Sequence, residues 1–189
     1  MKPEWRDWGQ VVDNMPYDVR RKDFVGNNGQ TGYVYYRLYN EPTEVGPDRY
    51  ENNATLSRAD ITSFPGTLKV TDVIIGPTGK EFPVTDVGAG KLGVFYGEKQ
   101  NIQPYEFAVE LGRCVKRVYG YDGEGAFKDQ TKLTRLTLSP YLESIRDHAF
   151  ENCRIANDLI FPYGFGYLYS KALAGNQFKR ILLPSTFSN

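Results

Sequence analysis

Few of the residues most used for catalysis and metal binding are present. The 189-residue chain holds one histidine, His148, and two cysteines, Cys114 and Cys153. Two thiols make no disulfide framework, and with one imidazole they fall short of the four Cys/His ligands of a structural zinc site. Net charge is also missing: 23 Lys+Arg balance 23 Asp+Glu. The basic footprint of a nucleic-acid binder is therefore absent. No window approaches 18 consecutive apolar residues, so no membrane-spanning helix and no membrane insertion are expected. The opening Met1-Lys2-Pro3-Glu4-Trp5-Arg6-Asp7-Trp8 lacks the apolar core of a signal peptide. Either export by that route does not occur, or a signal has been removed.

What is present is a foldable, turn-rich chain. Hydrophobic residues make up 40% and aromatics 14%, with 19 Gly and 11 Pro. That is too apolar for a disordered chain and long enough for an unstapled core. Residues 1–30 read as an irregular N-terminal arm, polar and broken by Pro3, Pro16 and the Gly26-Asn27-Asn28-Gly29 cluster. Residues 31–92 read as a β-rich cap. Its strands are Tyr33 to Tyr39, Leu68 to Ile75, and Phe82 to Val87, each β-branched or aromatic and bounded by turn residues. The stretch from Glu41 to Asn53 reads as a loop.

The C-terminal part, 93–189, repeats. Gly125-Ala126-Phe127 returns as His148-Ala149-Phe150 and as Lys171-Ala172-Leu173, a period of 23 twice over. Leu136, Leu138, Leu142 and Ile145 map at the same offset onto Leu159, Phe161, Phe165 and Leu168, and Phe161-Pro162 returns 22 residues on as Leu183-Pro184. One short apolar strand per unit at this period is the signature of a leucine-rich solenoid. No unit buries its apolar side alone, so neighbours must stack. The Ala-Phe segment is expected to form a helical turn or short helix on the opposite wall. Residues 93–122 read as an irregular insertion.

The run Leu133 to Cys153, with its Leu136-Thr137-Leu138, Leu142, Ile145, Ala149-Phe150 and Cys153, resembles the BspA-type leucine-rich repeat. Gly79 to Gly88 is similar to the segment preceding the first repeat in that family. The resemblance implies a β-rich α+β fold, with an N-terminal β cap followed by a short leucine-rich repeat solenoid. It also implies a non-enzymatic protein, of the bacterial surface or secreted kind, that adheres to protein partners.

Candidate chemistry is sparse. Gly88-Ala89-Gly90-Lys91-Leu92-Gly93 spells the dinucleotide fingerprint, but no helix-forming sequence follows, so a repeat turn is expected and no cofactor. His148 is expected to face solvent. Cys153, at a place other units fill with Gln130 and Asn176, reads as a buried ladder position. Asp122 and Glu124 read as a solvated turn, with too few oxygens for calcium; no metal site is expected. Tyr33, Tyr35, Tyr36 and Tyr39 read as core of the cap, with a sugar-stacking platform as the alternative.

The repeat strands are more informative. With Leu136/Leu138, Leu159/Phe161 and Ile181/Leu183 pointing inward, their neighbours point out. Stacking gives one row of Arg135, Asp158 and Arg180, a ladder of alternating charge. The other row is Thr137, Ile160 and Leu182, increasingly apolar toward the C-terminus. These six are the expected partner-binding residues, on the sheet face or at the open C-terminal end. The expected partners are other proteins or assembly subunits, a homo-oligomer included. Two alternatives stand beside this. The first is a structural subunit of a large assembly such as a phage virion, suggested by the last repeat stopping midway. The second is a carbohydrate-binding surface module. Location follows the choice: cell surface or secreted with a removed signal, virion for an assembly subunit.

Overall fold

The structure is a computed structural model that describes residues 5–6, 17–39, 52–76, 79–88, 93–95 and 102–187. Among the described residues the chain is all strand and turn. In chain order the strands are β1 Trp5–Arg6, β2 Tyr17–Gly26, β3 Thr31–Tyr39, β4 Asn53–Ala59, β5 Gly66–Lys69, β6 Val73–Ile75, β7 Glu81–Val87 and β8 Phe107–Glu110. There follow β9 Arg117–Val118, β10 Gly120–Tyr121, β11 Glu124–Gly125, β12 Leu133–Thr137, β13 Ser144–Ile145, β14 Leu159–Ile160, β15 Tyr167–Leu168 and β16 Ile181–Leu182.

Two parallel ladders grow from one antiparallel hairpin, so the sheet is mixed. The hairpin is β2–β3. The last residues of β2, Phe24 to Gly26, pair with β5, which starts the parallel ladder β5–β8–β12. On the other side β3 pairs with β4, which starts the parallel ladder β4–β7–β9–β13–β15. A shift in register between Arg21 and Phe24 lets β2 bend from one wall to the other.

Parallel stacking places like residues on like. In the second ladder Val19, Tyr36, Leu56, Val87, Val118 and Ile145 fall in one register row, and every one is buried. In the first ladder the row is Phe24, Leu68, Val109 and Leu136, again wholly buried. Both rows face one continuous core. A third line of contacts runs through the Ala-Phe segments. Ala59 N donates to Val94 O, Val94 N to Ala126 O, Phe127 N to Ala149 O and Phe150 N to Ala172 O. The Phe127 and Phe150 rings stack beneath it, 5.2 Å apart and 9° from parallel.

Several expectations need correction. The α component is missing among the described residues: the Ala-Phe segments are turns, closed by bonds such as Glu151 N to His148 O. The backbone explains this, because left-handed residues bracket the second and third segments: His148 (φ 55°) and Asn152 (56°), then Lys171 (52°) and Gly175 (73°). Three residues between such breaks cannot propagate a helix.

Within the stretch read as an irregular arm, Tyr17 to Gly26 form the strand β2; Met15 and Pro16 lie outside the described residues. The strand expected over Leu68 to Ile75 is two strands, β5 and β6, the second folding back on β7. Residues 93–122, read as an irregular insertion, hold ladder strands β8 and β9 and the small hairpin's β10. Most of the loop expected over Glu41 to Asn53 lies outside the described residues.

Candidate interaction surface

The outward rows of the first ladder are longer than the repeats alone suggest. Lys69, Glu110 and Thr137 share one register, as do Ile160 and Leu182. The two groups are joined by Asn157, whose side chain accepts from Leu136 N at 3.0 Å and donates to Leu136 O at 2.9 Å. It thereby mimics a backbone rung between β12 and β14. All five outward residues are exposed. Ile160 is 63% exposed and Leu182 46%, high values for aliphatic side chains. The row passes from charged through polar to apolar along the molecule.

Beside it lie Arg135, Asp158 and Arg180. Only half of the expected charge ladder forms. Arg180 Nη2 and Nε reach Asp158 Oδ2 at 2.6 and 3.0 Å, and the carboxylate raises the pKa of that guanidinium. The structure records no ion pair between Arg135 and Asp158.

The last rung also departs from expectation. Ile181 and Leu183 were expected to point into the core, yet each is 44% exposed, because no strand stacks beyond β16 among the described residues. Leu168, aligned with the buried Ile145, is half-exposed on β15 for the same reason.

The remaining candidates resolve into structure. Tyr36 is fully buried; its hydroxyl donates to Asp23 Oδ2 at 2.9 Å and accepts from Thr71 N at 3.2 Å. Burial, reinforced by the Asp23 charge, pushes its pKa well above the ordinary phenol value. Tyr35 is also buried, beneath the Arg58 guanidinium at 4.0 Å. Tyr35 and Tyr36 are therefore core, whereas Tyr33 and Tyr39 are partly exposed.

Cys153 Sγ lies 3.1 Å from Phe127 O, and Asn176 Nδ2 donates to Phe150 O at 2.7 Å. This is the ladder position, and burial pushes the Cys153 thiol up to about 12. His148 does not face solvent freely: its Nδ1 is 2.6 Å from Glu151 Oε2, and its side chain is 17% exposed. Gly88 has a φ of +86°, with Ala126 Cβ 2.9 Å from the place its own Cβ would occupy. That is a packing reason for glycine at the head of the fingerprint-like run, whose residues 89–92 lie outside the described residues. Asp122 and Gly123, both at positive φ, make the turn of the β10–β11 hairpin.

Two features escaped the sequence reading. Asp129, Asn152 and Gly175 are all left-handed and recur every 23 residues. Their Asp/Asn/Gly chemistry, in phase with the Ala-Phe period, was the available signal. Tyr141 and Tyr163 follow the prolines of successive units and are 61% and 77% exposed. Their repeat was visible in Pro140-Tyr141 and Pro162-Tyr163.

Together these features define a class, a β protein of stacked repeats whose surface is set by what each rung turns outward. Residues 123–189 match the family described as "BspA type Leucine rich repeat region (6 copies)". The resemblance carried by the Ala-Phe period is thereby shown for that part of the chain. No curated protein matches the chain. A solved leucine-rich repeat protein from Bacteroides ovatus is similar at 13% identity with a TM-score of 0.44, over 82% of this chain and 41% of that one. The chain thus spans about two-fifths of that structure's length.

Proposed function

We propose that the chain is a non-enzymatic protein-interaction module: an N-terminal β cap followed by a short leucine-rich repeat solenoid. It binds a protein partner through the outward face of β14 and β16. The observation that carries this reading is the register pair Ile160 and Leu182, two aliphatic residues side by side on a parallel ladder and open to solvent. Exposed apolar surface with neighbouring tyrosines and arginines has the composition of interface centres. Thr137, Arg135, Asp158 and Arg180 would form its polar border. The repeat family supports a protein-interaction or structural role.

The test is capture of a partner from an extract of the source cells, with circular dichroism confirming the fold of each variant. Ile160→Asp and Leu182→Asp are expected to abolish capture; capture unaffected by both sinks the reading. The repeat family suits a structural subunit of a larger assembly as well, and the mass of the purified chain by light scattering separates the two. A folded monomer favours the free-standing module, and a defined oligomer favours the subunit.

A further inference from the structure

We infer that Arg146, on the outer face of the second ladder, receives a carboxylate from an acidic segment of a protein partner. This rests on the module reading, adds a contact on the other wall and names that partner's chemistry. The outer face of this wall otherwise pairs its ladder arginines internally. One register row runs Asp18, Arg37, Thr55, Asp86, Arg117, Ser144 and Tyr167. Within it Arg37 Nε donates to Asp18 Oδ1 at 3.0 Å, and Arg117 Nε to Asp86 Oδ1 at 2.6 Å.

The next outward row breaks that pattern. Tyr119, Arg146 and Tyr169 each follow a member of the inward row Val118, Ile145 and Leu168, so the neighbours of Arg146 are two tyrosines and no acid. Among the described residues Arg146 makes no ion pair, not even with Asp147 beside it in the chain. Its guanidinium carbon lies 4.5 Å from the centre of the Tyr169 ring, and its Nε is buried with no hydrogen-bond partner. A guanidinium stays charged and only donates. Partial burial without a carboxylate leaves its desolvation uncompensated. The ring also holds the guanidinium plane, so a carboxylate meets a fork that is already ordered.

The site lies inside the ladder. Strands β9 and β15 flank β13 on either side. A further strand against β15 would stand about 10 Å from β13, beyond Tyr169, and would leave Arg146 as it is. The charges around it are matched, Arg117 with Asp86 and Lys116 with Glu143 at 3.3 Å. Charge complementarity therefore calls for an acidic occupant. A glycan is the poorer fit, because Asp86 and Glu143, which could accept from its hydroxyls, are committed to those pairs.

The experiment titrates the full chain into a rhodamine-labelled peptide, Glu-Ser-Glu-Ser-Glu-Ser-Glu-Ser, and follows anisotropy. The same peptide with Gln for every Glu is the control. Saturable binding of the acidic peptide alone is expected. Arg146→Gln should weaken it about fivefold, the scale of one charge pair. Arg146→Lys, which keeps the charge and loses the fork, should fall between. Arg135→Gln, an arginine on the other wall, should change nothing. Absence of saturable binding overturns the inference, as does binding that ignores Arg146→Gln or is weakened equally by Arg135→Gln. Trigalacturonate that binds more tightly than the peptide, and loses that binding on Arg146→Gln, also overturns it by making an acidic glycan the occupant. Failure here with Ile160-dependent capture intact removes only this contact; loss of both removes the module reading as well.

Discussion

The two ends of the molecule solve the same problem differently. At the N-terminal end the ladders meet a hairpin long enough to pair with both, and Phe24, Tyr36, Leu38 and Leu56 behind it are at most 1% exposed. Even the one polar atom among them, the Tyr36 hydroxyl, has both a donor and an acceptor. At β15 and β16 no further strand stacks among the described residues, and Ile181 and Leu183 are 44% exposed. Parallel stacking buries the interior of a pile and never its last member. Closure takes strands that turn back, and in this chain the antiparallel pair does it. The hairpin end should therefore hold more of the stability than the last described rungs, β15 and β16.

The sharpest way to break that comparison is truncation at each end. Phe24→Ala removes a fully buried ring that touches Phe64 and Phe107 and should cost about 3–5 kcal/mol in urea unfolding. Leu183→Ala, half in solvent already, should cost less than about 1 kcal/mol. Equal losses would show that the two ends are packed alike.

The ladder between the ends gives an intermediate effect. Asn176 Nδ2 donates to Phe150 O and Leu173 O, and its Oδ1 accepts from Ile155 N at 3.1 Å. Asn176→Ala leaves those groups without their partner and should cost about 1–3 kcal/mol. A neutral result would mean that water replaces the side chain and that the last unit is looser than its bonding implies. The thiol one rung inward gives an independent reading. Cys153 is buried with its pKa pushed up to about 12, whereas Cys114 is only partly buried. A disulfide reagent at pH 8 should label Cys114 at least about tenfold faster. Comparable rates would reveal frequent opening of the C-terminal units.

The sequence showed the repeated part best, because parallel stacking forces identical side chains onto identical rungs. Ala126, Ala149 and Ala172 stood out at a constant spacing, and the structure puts all three in the core. Val94-Phe95 makes the same turn one unit earlier, bonded to Ala126. It stayed hidden because 32 residues rather than 23 separate the pair. Strand β2 was illegible for another reason. Arg20, Arg21, Lys22 and Asp23 interrupt its apolar alternation, and that polar run is stabilised by contacts distant in sequence, such as Arg20 over the Tyr33 ring at 4.1 Å and Tyr36 on Asp23. Of the helical turn or short helix expected at the Ala-Phe segments, only the turn forms, and three of the four residues that stop it, His148, Asn152 and Lys171, are not the usual glycine or proline. Of the surface residues, the side-by-side placement of Ile160 and Leu182 was readable from the period. The exposure of Ile181 and Leu183 was not, since alternation alone says which face a residue takes and nothing about whether that face is covered.

The smallest expected effect concerns the outer corner of the repeats, where Glu151 meets basic side chains from three successive units. Its carboxylate is 2.6 Å from His148 Nδ1, 3.8 Å from Lys128 Nζ and 3.9 Å from Lys171 Nζ. The hydrogen bond to His148, ahead of the charges, holds its pKa below the ordinary 4.5. A carboxyl lowered by folding is bound to fewer protons in the folded than in the unfolded chain. Its contribution is present above pH 4.5 and is lost as the pH falls through the lowered value. The urea midpoint of the wild type should therefore exceed that of Glu151→Gln near neutrality, and the gap should close between pH 4.5 and the acid side of it. A gap that persists unchanged at pH 3 would mean that Glu151 ties the units together by shape and hydrogen bonding rather than by charge.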